Sequence, residues 1–297
     1  MSAATPKPTT SSTDKPATLK RATLKRAKTQ RRCEVCDTNC PHRRAFGGAL
    51  GTIWCCTACG TAQTEQHHAK QAESTYDSSY FDGSDRYLER EAELQEHFSL
   101  LLDLIARRRS PGRLLDVGCG TGQLLCVARS HGHEVHGIEY SAFASGFARD
   151  HNGLDVVTGT VAEGSPSLHG PFDVITINHV LEHLPNPRAD LRILRDLLAP
   201  GGLLVVGVPN YASAFRVALR YRWPSLLPSE HLWHFTPSGL TSLLHQSGLP
   251  KVEVLSGDNH AYEMKLPAHL RVAWKVLDRL TSATVRTDSI VAFASLI

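Results

Sequence analysis

No run of about 18 consecutive apolar residues occurs in this chain of 297, so no membrane-spanning helix is expected. The longest apolar stretches, such as Gly202–Val208, have the length of a strand. The N-terminus lacks the apolar core of a secretory signal, so disulfides are not expected and a reducing, cytoplasmic location is. Acidic residues are almost missing from positions 1–32, where Asp14 faces nine Lys and Arg. That tail carries +8 of an overall +3 and leaves the rest of the chain at −5. A globally basic, nucleic-acid-binding body is excluded; a basic tail on a mildly acidic body remains.

What is present points to a folded protein. Apolar residues make up 41% and charged residues 21%, enough for a sizeable core. Residues 1–32, with Ala-Thr-Leu-Lys-Arg at 17–21 and again at 22–26, bury too little to fold and are expected to be a disordered basic tail. Contact with an anionic surface or organelle targeting is the alternative use of such a tail. A cysteine-bearing module is expected over 33–60, a connector over 61–85, and the main domain over 86–297.

In the main domain, helical periodicity over 87–109 ends at Pro111-Gly112. Short, continuously apolar strands follow at 113–117, 134–138, 154–158, 172–178 and 202–208, with helices near 121–131, 141–150 and 187–198 between them. Such strands are buried on both faces of a parallel sheet, so the pattern predicts a doubly wound α/β fold. An irregular stretch, 209–236, precedes a helix near 237–247, a strand near 251–256, a basic helix near 268–282 and a last strand, Ser289–Leu296.

The most informative segment is Arg113-Leu-Leu-Asp-Val-Gly-Cys-Gly-Thr-Gly122. A strand ends at Asp116-Val117; Gly118, Gly120 and Gly122 permit a tight turn, and the next helix aims its amides at a ligand. Glu139 ends the second strand, placed to accept from both hydroxyls of a ribose. This segment resembles motif I of the class I S-adenosylmethionine-dependent methyltransferases, Asp-x-Gly-x-Gly-x-Gly. Phe172–Leu184 and Leu197–Val206 resemble that family's fourth strand with its turn and its fifth-strand entry. The resemblance covers about residues 85–297 and implies a seven-stranded Rossmann-like sheet whose last strand is antiparallel, inserted between strands five and six.

It also implies roles. Gly118 and Gly120 would face the methionine and ribose of S-adenosylmethionine, with Gly122 completing the turn. Asp116 would orient the amino-acid end and Glu139 hold the ribose. Asn178 and His179 would flank the transferable methyl. The family's adenine-binding Gly-Asp is Gly159-Thr160 here, leaving Thr160, the Val161 amide or Glu163 as substitutes.

Cys33-x2-Cys36 and Cys56-x2-Cys59 are separated by 19 residues, a spacing that suits four-thiolate zinc. Cys55 is an alternative to Cys56, and Cys40 or His42 a fallback ligand. Four thiolates leave no open position, so the Zn2+ role is structural. Such a knuckle beside Tyr76-x3-Tyr80-Phe81 resembles bacterial small-molecule methyltransferases, some acting on nucleotide-linked sugars. The resemblance implies that Tyr76, Tyr80 and Phe81 cover the sulfonium; packing the connector against the core is the alternative.

For proton removal, His183 after the fourth strand and the pair Glu230–His231 in the irregular stretch are the candidate catalytic groups. His234 reads as structural, because Thr236 and Pro237 begin a helix. The resulting reading is methyl transfer to oxygen or carbon of a small molecule. The alternatives are an RNA or protein methyltransferase, which the basic tail leaves open, a noncatalytic cofactor-binding or zinc-mediated interaction protein, and a dehydrogenase.

Overall fold

A computed structural model describes residues 28–48, 51–65, 91–257 and 282–297, together with 272, 276, 279 and 280. Tyr76, Tyr80 and Phe81 lie outside the described residues.

The central sheet is built from β5 (Arg113–Val117), β6 (Glu134–Glu139), β7 (Asp155–Thr158), β8 (Phe172–Asn178), β9 (Leu198–Pro209), β11 (Lys251–Ser256) and β12 (Ser289–Ser295), in the order β11-β12-β9-β8-β5-β6-β7. β5 to β9 run parallel, whereas β12 lies antiparallel to both β9 and β11. This is the expected seven-stranded arrangement with a reversed last strand. Leu114, Leu115, Val174, Ile175, Leu204 and Val206 are fully buried, because parallel strands here are covered on both faces.

Helices α1 (Glu91–Ala106), α2 (Gln123–Ser130), α3 (Ala142–Asn152), α5 (Pro187–Asp196) and α7 (Pro237–Gln246) supply that cover. Their ends are set locally: Ser141 caps α3, Asn186 with Pro187 starts α5, and Thr236 with Pro237 starts α7. The four-residue α4 (Val161–Gly164) follows β7. The irregular stretch contains a short helix absent from the sequence reading, α6 (Ala214–Leu219), capped by Ser213.

The cysteine module is larger than its sequence outline. β1 (Lys28–Arg32), β2 (Asn39–Gly48), β3 (Gly51–Cys56) and β4 (Ala62–Glu65) form an antiparallel sheet, so residues 28–32, expected in the tail, are a strand, and 61–65, expected in the connector, are the module's last strand and the turn into it. The fifth strand of that sheet, β10 (Trp233–His234), comes from the main domain. Cys33, Val35, Cys56 and Cys59 therefore share one buried cluster with Trp233, Phe235 and Leu240.

Candidate functional site

The carboxyl ends of β8, β5 and β6 lie side by side and bring three predicted segments to one edge. Gly118, Gly120 and Gly122 all adopt positive φ (70°, 56° and 90°), which ordinary side chains tolerate poorly. A Cβ on Gly118 would stand 2.3 Å from Val180 Cγ2, and one on Gly122 2.2 Å from Leu154 Cδ1. The first glycine thus lets the turn approach the β8 loop; the third serves helix packing.

Glu139 closes this turn. Its Oε2 accepts the Gly120 amide at 2.8 Å and its Oε1 the Ser141 amide at 2.7 Å. Burial pushes its carboxyl up, and the backbone amides oppose that. The Tyr140 amide is a third backbone donor to this carboxylate. A carboxylate held rigidly by backbone amides at the end of β6, beside the glycine turn, is placed where a ribose hydroxyl could be accepted.

Asp116 and Thr160 each make a structural bond. Asp116 is buried within the sheet and accepts the Thr176 hydroxyl at 2.6 Å; burial raises its carboxyl to about 7. It braces β5 against β8 beneath the glycine turn, a structural bond beside the ligand-orienting role expected of it. Thr160 is exposed and caps α4 in a reciprocal box: its hydroxyl donates to Glu163 Oε2 at 2.8 Å and accepts the Glu163 amide at 3.3 Å. Its hydroxyl and Glu163 bond each other, so Thr160 serves as a helix cap, and the expected adenine contact is left to Thr160, the Val161 amide or Glu163 as before.

Beyond β8 the chain turns sharply. His179 has φ 56° and donates its amide to Gly207 at 2.9 Å, a strained position of the kind held at ligand sites. Asn178 packs over Gly207, where a Cβ would meet its Oδ1 at 2.1 Å. The chain then enters a 3-10 turn, Leu181–His183, that carries Glu182 inward.

Glu182 is 1% exposed, and among the described residues neither carboxylate oxygen has a well-aligned hydrogen-bond partner. His179 Nδ1 stands 3.4 Å from Oε1. Ligand atoms of Glu182, His183 and His231 lie within 4.8 Å of one another, and the rings of His183 and His231 meet edge to face at 4.7 Å. Burial works against the Glu182 charge, but the contact with His179 and the neighbouring His183 and His231 hold its carboxyl down at about 2. His231 is pushed the other way, to about 4, chiefly by its own burial, and is neutral at pH 7. Its Nδ1 donates to the Ser225 carbonyl at 2.9 Å, leaving Nε2 as the basic nitrogen.

Glu230 is half-buried and its amide bonds Leu227; the carboxylate beside His231 is Glu182 instead. The predicted Glu230–His231 pair is corrected accordingly. Adjacency in sequence suggested that pair, whereas the group of ligand atoms around His231 is made with Glu182 and His183. Glu182 was legible only as a neighbour of His183. His234 is buried, shares a 2.8 Å hydrogen bond with Thr64, and is driven down to about 3 by burial, in keeping with a structural role.

The cysteines fit a tetrahedral ion. A zinc–sulfur bond of about 2.3 Å implies sulfurs about 3.8 Å apart. Cys33 and Cys59 sulfurs are 3.9 Å apart, Cys36 and Cys56 3.8 Å, and all four lie within 4.8 Å of one another. The Cys59 amide points at Cys56 Sγ at 3.5 Å. Cys55 turns away to the Gly60 carbonyl, Cys40 crowds Cys56 at 3.3 Å, and the His42 ring bonds the Cys40 carbonyl, so the first-named ligand set is the one whose spacing suits zinc.

The comparisons fall on the same segments. A family described as a methyltransferase domain matches residues 85–254, more than half of the chain. The chain belongs to the class I S-adenosylmethionine-dependent methyltransferases.

Among relatives of this methyltransferase, a ubiquinone biosynthesis O-methyltransferase of Ruegeria pomeroyi is 37% identical over 48% of this chain and 61% of its own length. One of Azoarcus sp. is 35% identical over 49% of this chain and 66% of its own. The chain thus spans somewhat under two thirds of these relatives. Among solved structures, a methyltransferase of Thermotoga maritima, described as a possible histamine N-methyltransferase, superposes with TM-score 0.52 at 17% identity, covering 73% of this chain and 98% of that one. The plantazolicin methyltransferase BamL, solved with S-adenosylhomocysteine, gives TM-score 0.52 at 18% identity over 76% of this chain and 97% of its own. At these identities the two structures speak to the fold of the methyltransferase alone.

Proposed function

We propose that this methyltransferase binds S-adenosylmethionine across the Gly118–Gly122 turn and Glu139 and methylates an oxygen of a small-molecule acceptor seated near His231. Carbon methylation is the runner-up. The observation that carries the reading is a rigidly held carboxylate, Glu139, beside the glycine turn, together with Glu182 and His231, which follow β8 and β9 and bring a carboxylate beside an imidazole whose Nε2 is its basic nitrogen.

The cofactor, when bound, supplies an activated methyl group and a neutral leaving group. The protein's own residues do the rest. Glu139 and the turn amides fix the nucleoside. His231 Nε2 takes the acceptor's proton, and Glu182 beside it stabilises the imidazolium that results. A weakly basic, buried imidazole matches an acidic hydroxyl better than an alkyl alcohol. The name shared by the relatives, ubiquinone biosynthesis O-methyltransferase, supports oxygen as the target atom. A nucleotide-linked sugar is the competing acceptor.

Zinc on Cys33, Cys36, Cys56 and Cys59 belongs to the same reading, supported by the sulfur spacing. A reducing compartment such as the cytoplasm keeps those four cysteines available as metal ligands. The test is incubation with methyl-labelled S-adenosylmethionine and a metabolite extract. Label in a small-molecule methyl ether supports the reading. Label only in RNA or protein, or cofactor binding without transfer, overturns it.

A further inference from the structure

The module and the post-β9 segment are tied by more than apposition. β4 pairs with β10 in the register Gln63↔Trp233 and Ala62↔His234. The Thr64 amide donates to the Leu232 carbonyl at 2.9 Å, and the Leu232 amide donates to the Glu182 carbonyl at 2.9 Å. Leu232, the residue after His231, is therefore clamped between the module and the turn that bears Glu182. Thr64 Oγ1 holds the His234 ring at 2.8 Å. At the other end of β4, the carbonyl of Cys59 accepts the hydroxyls of Thr236 (2.6 Å) and Ser238 (2.9 Å). Trp233 Nε1 donates to the Leu184 carbonyl at 2.9 Å and fixes the same segment from below.

We propose that the cysteine module is the positioning element for His231. Its last strand is the template on which residues 232–234 are laid, Thr64 is the residue that transmits position, and metal loading at Cys59 keeps the template in place. The inference rests on the zinc and His231 readings above. It assigns the module a task inside the methyltransferase site, in place of a separate domain for docking partners.

The geometry makes the coupling two-way. A rigid β4 orders the segment carrying His231, and contacts on the main-domain side hold the Cys59 loop closed around an ion. Thr64 touches no ligand or reacting atom, so it is a positioning residue. Ser238 ligates no metal, so its contribution to metal affinity runs through the Cys59 carbonyl.

The test uses the full chain with 15N-labelled histidine. Zinc added to the chelator-stripped chain is expected to shift and sharpen the His231 side-chain signals and restore kcat. Affinity for S-adenosylmethionine should change by less than about twofold, because Glu139 sits outside this ladder. Thr64→Val, with one zinc bound per chain, is expected to move the same signals and lower kcat about tenfold, and Thr64→Ser to restore both. Ser238→Ala is expected to weaken zinc about tenfold with its four thiols intact.

His231 signals that ignore both zinc and Thr64→Val would overturn the proposal. Should the stripped chain unfold, or bind no zinc, Thr64→Val alone decides it, and the absence of zinc binding refutes the metal reading separately. Should His231→Ala keep full kcat, the general-base reading falls, while the NMR signals still decide the positioning claim.

Discussion

The carboxylate of Glu182 lies beside the imidazole of His231, with ligand atoms of the two residues inside 4.8 Å. One follows β8 and the other follows β9, and the backbone hydrogen bond from the Leu232 amide to the Glu182 carbonyl holds the two segments together. The consequence is a buried carboxylate beside a neutral base, the arrangement that stabilises an imidazolium formed during reaction.

His231→Ala should lower kcat by about 10^2-fold or more, as for other positioned general bases, with affinity for S-adenosylmethionine unchanged. Glu182→Gln should also lower kcat, whereas Glu230→Gln should leave it within about twofold, since the carboxylate grouped with the His231 ring is that of Glu182. Steady-state kinetics with saturating cofactor distinguishes the three; an effect of Glu230→Gln equal to that of His231→Ala would restore the sequence-adjacent pair.

Glu139→Ala should weaken S-adenosylmethionine at least about tenfold by calorimetry, a loss of ~1.4 kcal/mol or more. It removes the carboxylate proposed to hold the ribose and also frees the Gly120 and Ser141 amides. Unchanged affinity would remove Glu139 from the cofactor site.

Gly118→Ala should reduce both stability and cofactor affinity. Its φ of 70° costs an alanine roughly 1–2 kcal/mol, and the new methyl would press on Val180 Cγ2. Adding Val180→Ala should relieve the contact and leave the backbone strain, so the double variant recovers part of the loss. Full recovery would show that φ strain contributes nothing there.

Stability should depend on pH through the two buried histidines. Burial holds His231 at about 4 and His234 at about 3, both below the ordinary 6.5. Between those values and 6.5 the unfolded chain binds more protons, so stability falls as pH drops through that window. Asp116, raised to about 7, acts in the opposite sense between 3.8 and 7. His234→Gln should therefore flatten the loss by about 1.4 kcal/mol per pH unit below pH 6, read from urea midpoints. An unchanged slope would mean that His234 is solvated and free to protonate.

Metal analysis should find one zinc per chain. Cys36→Ser or Cys59→Ser should abolish it, whereas Cys55→Ala should retain it, because the Cys55 sulfur turns away to the Gly60 carbonyl. Retention in Cys59→Ser would point to Cys40 as a replacement ligand.

The amino-acid sequence by itself determined the parallel strands of the main sheet, the glycine turn and the acid at the end of β6; the reversal of the last strand came from the family resemblance. The first three are written in local terms: continuous apolar strands, glycines where φ must be positive, caps such as Thr236-Pro237 before α7. Tertiary structure alone decided which carboxylate meets His231, that Thr160 serves as a helix cap, and that β4 of the cysteine module completes a sheet with Trp233–His234. Those relationships join segments distant in the chain. They depend on how a two-residue strand and a 3-10 turn are buried against the core, and neither carries a periodic pattern long enough to be read beforehand.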